Sequence, residues 1–180
     1  MVYTHHYLSP LGDMTIACRS DGAAIVGLWF DGQAHFGTTL SGRVEPHRLP
    51  VLLAAVDWLN TYFSGHEPDF MPPLALDGSP FRLAVWAMLC EIPWGQVTTY
   101  GDIARRLATK YHTHVSAQAV GGAVGHNPIS LMVPCHRVIG AGGNLTGYAS
   151  GVHIKRRLLE SEGVLTNGLR DPLTAHVQPR

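Results

Sequence analysis

Apolar and polar positions change places over short distances in the first thirty residues of the chain. "YTHHYLSPLGDMTIACRSDGAAIVGLWF" (3–30) is interrupted by "SPLGD" and "RSDG", both turn-forming, and so reads as a run of strands. The period then lengthens. In "RLPVLLAAVDWLNTYFSG" (48–65), Leu52, Leu53, Val56, Leu59, Tyr62 and Phe63 recur at helical spacing up to Gly65. "HEPDFMPPLALDGSP" holds four prolines and no helical period, so residues 66–80 are expected to link two units. Beyond the link, "FRLAVWAMLCEIP" predicts a helix that buries Phe81, Val85, Trp86, Leu89 and Cys90 and ends at Pro93. In "WGQVTTYGDIARRLA", Thr98 or Thr99 is placed to cap a short helix carrying Ile103, Ala104 and Leu107. "VSAQAVGGAVGHNP" predicts a second short helix, rich in Ala and Gly, and "KRRLLESEG" an amphipathic helix with a Gly stop. The expected fold class is α+β. The expected division is an N-terminal domain at 1–75, a helical domain at 79–165 and a tail at 166–180.

Two short helices joined by a loop, the second with a bare small-residue face, suit a helix-turn-helix that must approach a nucleic-acid groove. Gly and Ala also permit close packing of one helix on another, and spacing alone leaves both readings open.

Charge changes the picture more than composition does. The 180 residues are 46% apolar and 14% charged, enough to build a core, with formal net charge zero. That zero hides an asymmetry. Residues 1–78 carry three Lys/Arg against eight Asp/Glu, whereas 79–165 carry eight against four. Such a division points to a polyanion or membrane surface met by the basic half, or to two solvated faces that differ in sign. No apolar run approaches the ~20 residues of a bilayer span, and the N-terminus has no signal-peptide pattern. Cys18, Cys90 and Cys135 are an odd, scattered set, which suggests a reducing cytoplasm and no disulfide framework.

The chemistry gathers in "ISLMVPCHRVIG" (129–140), where an apolar segment stops at Pro134 and presents Cys135, His136 and Arg137 in sequence. A cysteine is ordinarily a small buried hydrophobe. Its neighbours argue for more. The order "GQVTTYGDIA", "AVGGAVGHNP", "VPCHRVIG", "GYASG" and "LLESEG" closely resembles the O6-alkylguanine-DNA alkyltransferases, also called methylated-DNA–protein-cysteine methyltransferases. The resemblance is strong over residues 79–163 and looser in the N-terminal half, where "SPLGDMTIA" is also similar.

The resemblance implies a small ribonuclease H-like N-terminal domain and a helical C-terminal domain containing a winged helix-turn-helix. It implies that an alkylated guanine is flipped out of duplex DNA and that its O6-alkyl group moves to Cys135. Attack on an sp³ carbon needs a thiolate, and an ordinary thiol with a pKa near ~8.5 is mostly protonated. In the family the motif histidine takes the proton through a water, and a glutamate orients it; these positions match His136 and Glu162. This is a thiol form of the nucleophile–base–orienter arrangement. Tyr100 matches the family's proton donor to the departing guanine. Asn127, in "HNP", matches an asparagine that ties the active-site turn. Tyr148 and Ala149 fall where the family lines the base pocket. Ala117, Gln118, Gly121 and Ala141 fall in its DNA-contacting segments, and Arg137 is expected mainly to organise the domain interface, with DNA contact as a lesser role.

One position departs from the family. The recognition helix commonly reads Arg-Ala-Val-Gly, the arginine filling the gap left by the flipped nucleotide, and here Gln118 stands in its place. Gln hydrogen-bonds but lacks the broad cationic plane that stacks on bases. "TKYHTHVSAQ" is expected to be a loop insertion. Its His112 and His114 have no Cys or carboxylate nearby in sequence, and Cys18 with His5 and His6 lacks the closely following histidine of zinc-bearing relatives. No metal or cofactor is expected. The expected partner is duplex DNA carrying O6-alkylguanine, bound by a monomer, with cooperative binding of several copies left open and no membrane partner. The alternatives are a sensor that binds alkylated DNA without turnover, against which Cys135 argues, and a thiol hydrolase, which leaves the helix pair unexplained.

Overall fold

The computed structural model describes residues 1–170, so residues 171–180 of the expected tail lie outside the described part. The fold is mixed α+β, with five α-helices and a four-stranded sheet among the described residues. Strands β1 (Val2–Ser9) and β2 (Gly12–Arg19) form a hairpin around Pro10–Leu11. Strand β3 (Ile25–Phe30) runs antiparallel to β2, and the short β4 (Val44–Pro46) lies parallel to β1, giving the order β3-β2-β1-β4. Gly27 is required in β3. Trp29, two residues on and therefore on the same face, folds over it so closely that a Cβ would lie 1.8 Å from the indole.

Met14, Ile16, Cys18, Leu28 and Phe30 point from the other face into the core, where α1 (Pro50–Phe63) covers them. Helix α1 buries Val51, Leu52, Ala55, Trp58, Leu59 and Tyr62. Its inward face is thus turned from the expected one, and Leu53, Val56 and Phe63 are only half-buried. The proline-rich link is also more than a spacer. Ile25 donates its N–H to Pro73 and accepts from Ala75, each at 2.8 Å, so the link pairs with the outer edge of β3. Further along that edge, Leu28 donates to Pro128 at 2.9 Å and accepts from Ser130 at 2.8 Å. The exposed edge that would invite mispairing is closed by the chain's own second half.

In that half, α2 (Pro80–Cys90) is capped by Ser79, whose Oγ accepts from the Arg82 N–H at 3.3 Å. It buries Val85, Trp86, Met88 and Leu89. Phe81 and Cys90, expected inside, are exposed: they sit at the two ends of the helix, beyond the turns that α4 covers. Thr99 caps α3 (Tyr100–Tyr111) and Ser116 caps α4 (Ala117–Gly125), their hydroxyls accepting from Asp102 at 3.0 Å and Ala119 at 3.1 Å. Helix α3 takes in Thr109–Tyr111 and α4 takes in Ala117 and Gln118, so the expected ten-residue insertion shrinks to residues 112–116. Two-residue strands β5 (Thr98–Thr99) and β6 (Val138–Ile139) pair in parallel beside them. Helix α5 (Val152–Ser161) ends at Gly163 in the left-handed region, φ +81°. Of the expected tail, Thr166–Gly168 form a 3₁₀ turn, and Arg170 pairs with Asn144. Among the described residues no helix is long and apolar enough to cross a membrane.

Candidate active site and adjoining groove

Residues 127–136 are buried without a break, which places an irregular segment inside the protein and obliges its backbone groups to find partners. Asn127 supplies them. Its Nδ2 donates to the carbonyls of Val133 at 2.8 Å and Ile129 at 3.3 Å, and its Oδ1 accepts from the Ile129 N–H at 3.0 Å. This clamp holds a turn in which Leu131 takes φ +68°, a conformation that costs a branched side chain free energy. Pro134 then leads into a 3₁₀ turn, Cys135–Arg137, in which Cys135 and His136 are buried.

His136 is fully buried, and its Nε2 lies 2.5 Å from Oε1 of Glu162, the residue that caps the end of α5. Glu162 gathers a ring of donors. Arg137 Nε reaches Oε2 at 2.8 Å, Arg137 Nη2 reaches Oε1 at 3.2 Å, and the Gly95 N–H reaches Oε2 at 3.5 Å. The Tyr62 hydroxyl donates to Oε1 at 2.8 Å. Burial alone would raise the Glu162 pKa, but hydrogen bonds and charge from His136 and Arg137 overcome it and hold the carboxyl near about 2. An ionised carboxylate only accepts, so His136 Nε2 carries the hydrogen and Nδ1 keeps its lone pair. Nδ1 is buried and has no hydrogen-bond partner among the described residues.

Burial pushes the Cys135 thiol up, against the lowering influence of the Asn127 amide and the Lys155 ammonium. Burial pushes His136 down, against Glu162. Both therefore rest neutral near pH 7. Lys155 is buried, donates to the Thr146 carbonyl at 3.1 Å, and is lowered to about 8 by desolvation, with Cys135 opposing. The Tyr100 hydroxyl shares that carbonyl, at 3.1 Å, and burial, helped by Cys135, pushes it up to about 12. The Tyr148 hydroxyl is buried with no nitrogen or oxygen partner among the described residues, and burial, helped by the neighbouring Cys135, holds it well above its ordinary value.

An open groove of about 760 Å³ adjoins this site, between the start of α3, helix α4 and the 140–147 segment. Tyr100, Ala117, Gln118, Gly121 and Ala141 all line it. Ala149 lines a separate cleft facing β3, beside Gln33 and Ser150. Arg137 lines neither: its guanidinium holds Glu162 and donates to the Ile92 carbonyl at 2.6 Å. Its side chain is 12% exposed and is turned toward Glu162 and Ile92 and not into the groove.

Sequence reasoning missed Tyr62 and Lys155. Tyr62 reads in the sequence as one position of an apolar face; the signal available there is that a buried tyrosine normally finds a partner for its hydroxyl. Lys155 gave no signal, because a lysine in a basic, amphipathic helix looks solvent-facing. Cys18 is buried in the core, paired with Tyr3, and His6 lies on the opposite face of the sheet. His6 instead stands between Asp13 and Asp31 on the exposed face of the sheet, Nε2 3.5 and 3.7 Å from their carboxylates.

With this geometry in place, the chain can be set beside known proteins. Residues 80–164 match the profile of the 6-O-methylguanine DNA methyltransferase DNA-binding domain. The methylated-DNA–protein-cysteine methyltransferase of Mycobacterium tuberculosis H37Rv is 40% identical over 162 residues, 90% of this chain and 93% of that protein. The Haemophilus influenzae protein of the same name is 35% identical over 164 residues, 91% of this chain and 87% of its own. Among solved structures, M. tuberculosis OGT in complex with DNA superposes with TM-score 0.75 at 40% identity, covering 89% of this chain and 92% of that one. The O6-methylguanine-DNA methyltransferase of Pyrococcus kodakaraensis superposes with TM-score 0.59 at 28% identity, covering 91% of this chain and all of that one. The chain belongs to the methylated-DNA–protein-cysteine methyltransferase family.

Proposed function

We propose that the protein repairs DNA by direct reversal, taking the alkyl group of O6-alkylguanine, chiefly O6-methylguanine, onto Cys135. The observation that carries the reading is the resting neutrality of a buried Cys135 beside a buried, neutral His136 backed by an ionised Glu162. A thiol that burial keeps protonated needs a base at the moment of reaction. His136 Nδ1 is the atom available, and it receives the thiol proton through a water, as the family resemblance implies. The imidazolium that forms is then stabilised by Glu162. The thiolate sulfur bonds to the alkyl carbon, the carbon–O6 bond breaks, and its electron pair passes to the guanine. Tyr100, whose raised pKa keeps its proton at neutral pH, supplies that proton to the departing base. Lys155 favours the thiolate by charge. The product is a thioether that no simple hydrolysis reverses, so each molecule acts once.

The same proposal assigns residues 1–75 and 79–165 as the two units. The strand order β3-β2-β1-β4, three antiparallel strands and a fourth parallel to the first, supports a ribonuclease H-like reading of the first. Helices α3 and α4, each with an N-cap, support a helix-turn-helix, with β5, β6 and the following loop as its wing. Ala117, Gln118, Gly121 and Ala141 would then face duplex DNA, and Tyr148 and Ala149 the flipped base.

Duplex DNA labelled on the O6-alkyl carbon tests the reading. Label should move to the Cys135 peptide at one equivalent per protein, with no further transfer from excess DNA, and Cys135→Ser should abolish it while DNA binding persists. Label remaining on DNA that is nonetheless bound would make the protein a sensor, and a second round of transfer would overturn single use.

A further inference from the structure

Tyr62 lies in α1, outside the 80–164 segment that the family profile matches, yet it reaches across 100 positions of sequence to the carboxylate of Glu162. Its ring is held on three sides. Trp58 stacks on it at 5.4 Å and 14°, while Phe63 and Trp94 meet it edge-on, each with centroids 5.3 Å away. The side chain is fully buried, so the position of its hydroxyl is set by packing and not by solvent. Burial and the neighbouring Glu162 charge keep that hydroxyl protonated, and therefore a donor, throughout the range in which a thiol titrates.

Arg137 fixes the plane of the Glu162 carboxylate but does so unevenly, with 2.8 Å to Oε2 and 3.2 Å to Oε1. Oε1 is the oxygen that faces His136, and it is the one Arg137 holds less well. The Tyr62 hydroxyl supplies the missing restraint at 2.8 Å and stands 3.4 Å from His136 Nε2 itself. We infer that Tyr62 is a positioning residue for transfer to Cys135: its hydroxyl pins Oε1 of Glu162 and, through it, the tautomer and tilt of His136. This rests on the proposed transfer to Cys135. It also means that the first unit completes the active site of the second, although the first unit holds no reacting atom.

The test is single-turnover transfer from free O6-benzylguanine, which needs no base flipping, followed from about pH 6 to about pH 10. Four proteins are compared: the unaltered chain, Tyr62→Phe, His136→Ala and the double variant. Tyr62→Phe removes one oxygen and leaves Glu162 with donors from His136, Arg137 and Gly95, so the fold is expected to survive, as a melting curve checks. At neutral pH the variant should be slower by roughly tenfold, the scale of one hydrogen bond to a charged group. The deficit should close toward the alkaline end, where the thiol ionises unaided. In the His136→Ala background the same substitution should change the rate by less than about twofold, because the residue it acts through is gone. An equal loss at every pH, or an equal loss in both backgrounds, would make Tyr62 a packing residue only. No loss at all would mean that Arg137 suffices. The function itself is overturned only if the unaltered chain takes neither the benzyl group nor a methyl group from O6-methylguanine in duplex DNA, which is a different result from a normal chain with a normal Tyr62→Phe. If duplex alone is accepted, the four proteins are compared on duplex.

Discussion

Burial acts in the same sense on Cys135 and His136, keeping each uncharged, while Glu162 is held in the opposite state, and the proposed transfer depends on that contrast. His136→Ala should slow transfer at neutral pH and be partly rescued at alkaline pH, and Glu162→Gln should behave alike. A His136→Ala profile with an unchanged midpoint would remove His136 as the base. The same pKa values bear on stability. The Glu162 carboxyl is depressed in the folded protein, so its contribution is present above the unfolded value, near 4.5, and is lost as pH falls toward about 2. It is worth about 3 kcal/mol by linkage. His136 is also depressed when folded, so the unfolded chain binds its proton first, and stability begins to fall as pH drops through the ordinary histidine range. Urea midpoints measured from pH 7 to pH 3 should decline throughout, and Glu162→Gln should flatten the acid end. Gln118 belongs to the same scale. It is exposed and lines the groove, so Gln118→Arg should tighten binding to methylated duplex, speed transfer there, and make binding more salt-sensitive. Transfer from free O6-benzylguanine should hardly change. Equal acceleration on both would place Gln118 in the chemistry, and none on duplex would give the gap-filling task to another residue.

Among the elements, the buried turn ahead of Cys135 depends most on a single side chain. Asn127→Ala removes three hydrogen bonds and leaves Ile129 N–H and the Val133 carbonyl to be satisfied in the interior. With Leu131 already at positive φ, the loss should be about 2–4 kcal/mol in urea unfolding, with transfer falling at least in proportion. Asn127→Asp keeps the acceptor but sets a buried carboxylate oxygen against the Ile129 and Val133 carbonyls, so it should cost at least as much as Asn127→Ala. The asparagine and the turn it ties were legible through the motif; the left-handed Leu131 inside that turn was not. The same split runs through the fold. Ser79 and Thr99 sit beside apolar-periodic runs, and their caps follow from residue type. The pairing of Pro73–Ala75 and Pro128–Ser130 with the edge of β3 is made by backbone atoms, and hydrophobic periodicity carries no trace of it. Phe81 and Cys90 misled for a related reason, since a helical period gives the inward face of α2 but not how many of its turns are covered. At the site, Cys135, His136 and Glu162 were legible through the motif they share with a family. Tyr62 was not, because its partner is supplied by packing between two halves of the chain.

At the scale of the whole molecule, that packing decides whether the two units are separable. A proline-rich link and a change of period suggest independent domains, yet one continuous core holds Met14, Leu28 and Leu59 of the first together with Val85, Val120 and Leu158 of the second. Burying apolar area at roughly 25 cal/mol per Å² rewards both halves only when they are joined. Paired backbone along β3 and the Tyr62–Glu162 bond cross the same boundary. The chain should therefore unfold in a single transition, with calorimetric and van't Hoff enthalpies that agree. A fragment spanning 79–180 should lack a cooperative melt, because it would expose Val85, Leu131 and Val133 where α1 and the sheet now cover the core. It should also lose transfer at neutral pH even with free O6-benzylguanine, which needs no help from DNA. Adding a separately made 1–78 fragment should restore part of both, since each carries half of one interface. Two resolved calorimetric peaks, or a 79–180 fragment that melts cooperatively and keeps its rate, would show that the link joins two true domains and that the shared core is only a contact between them.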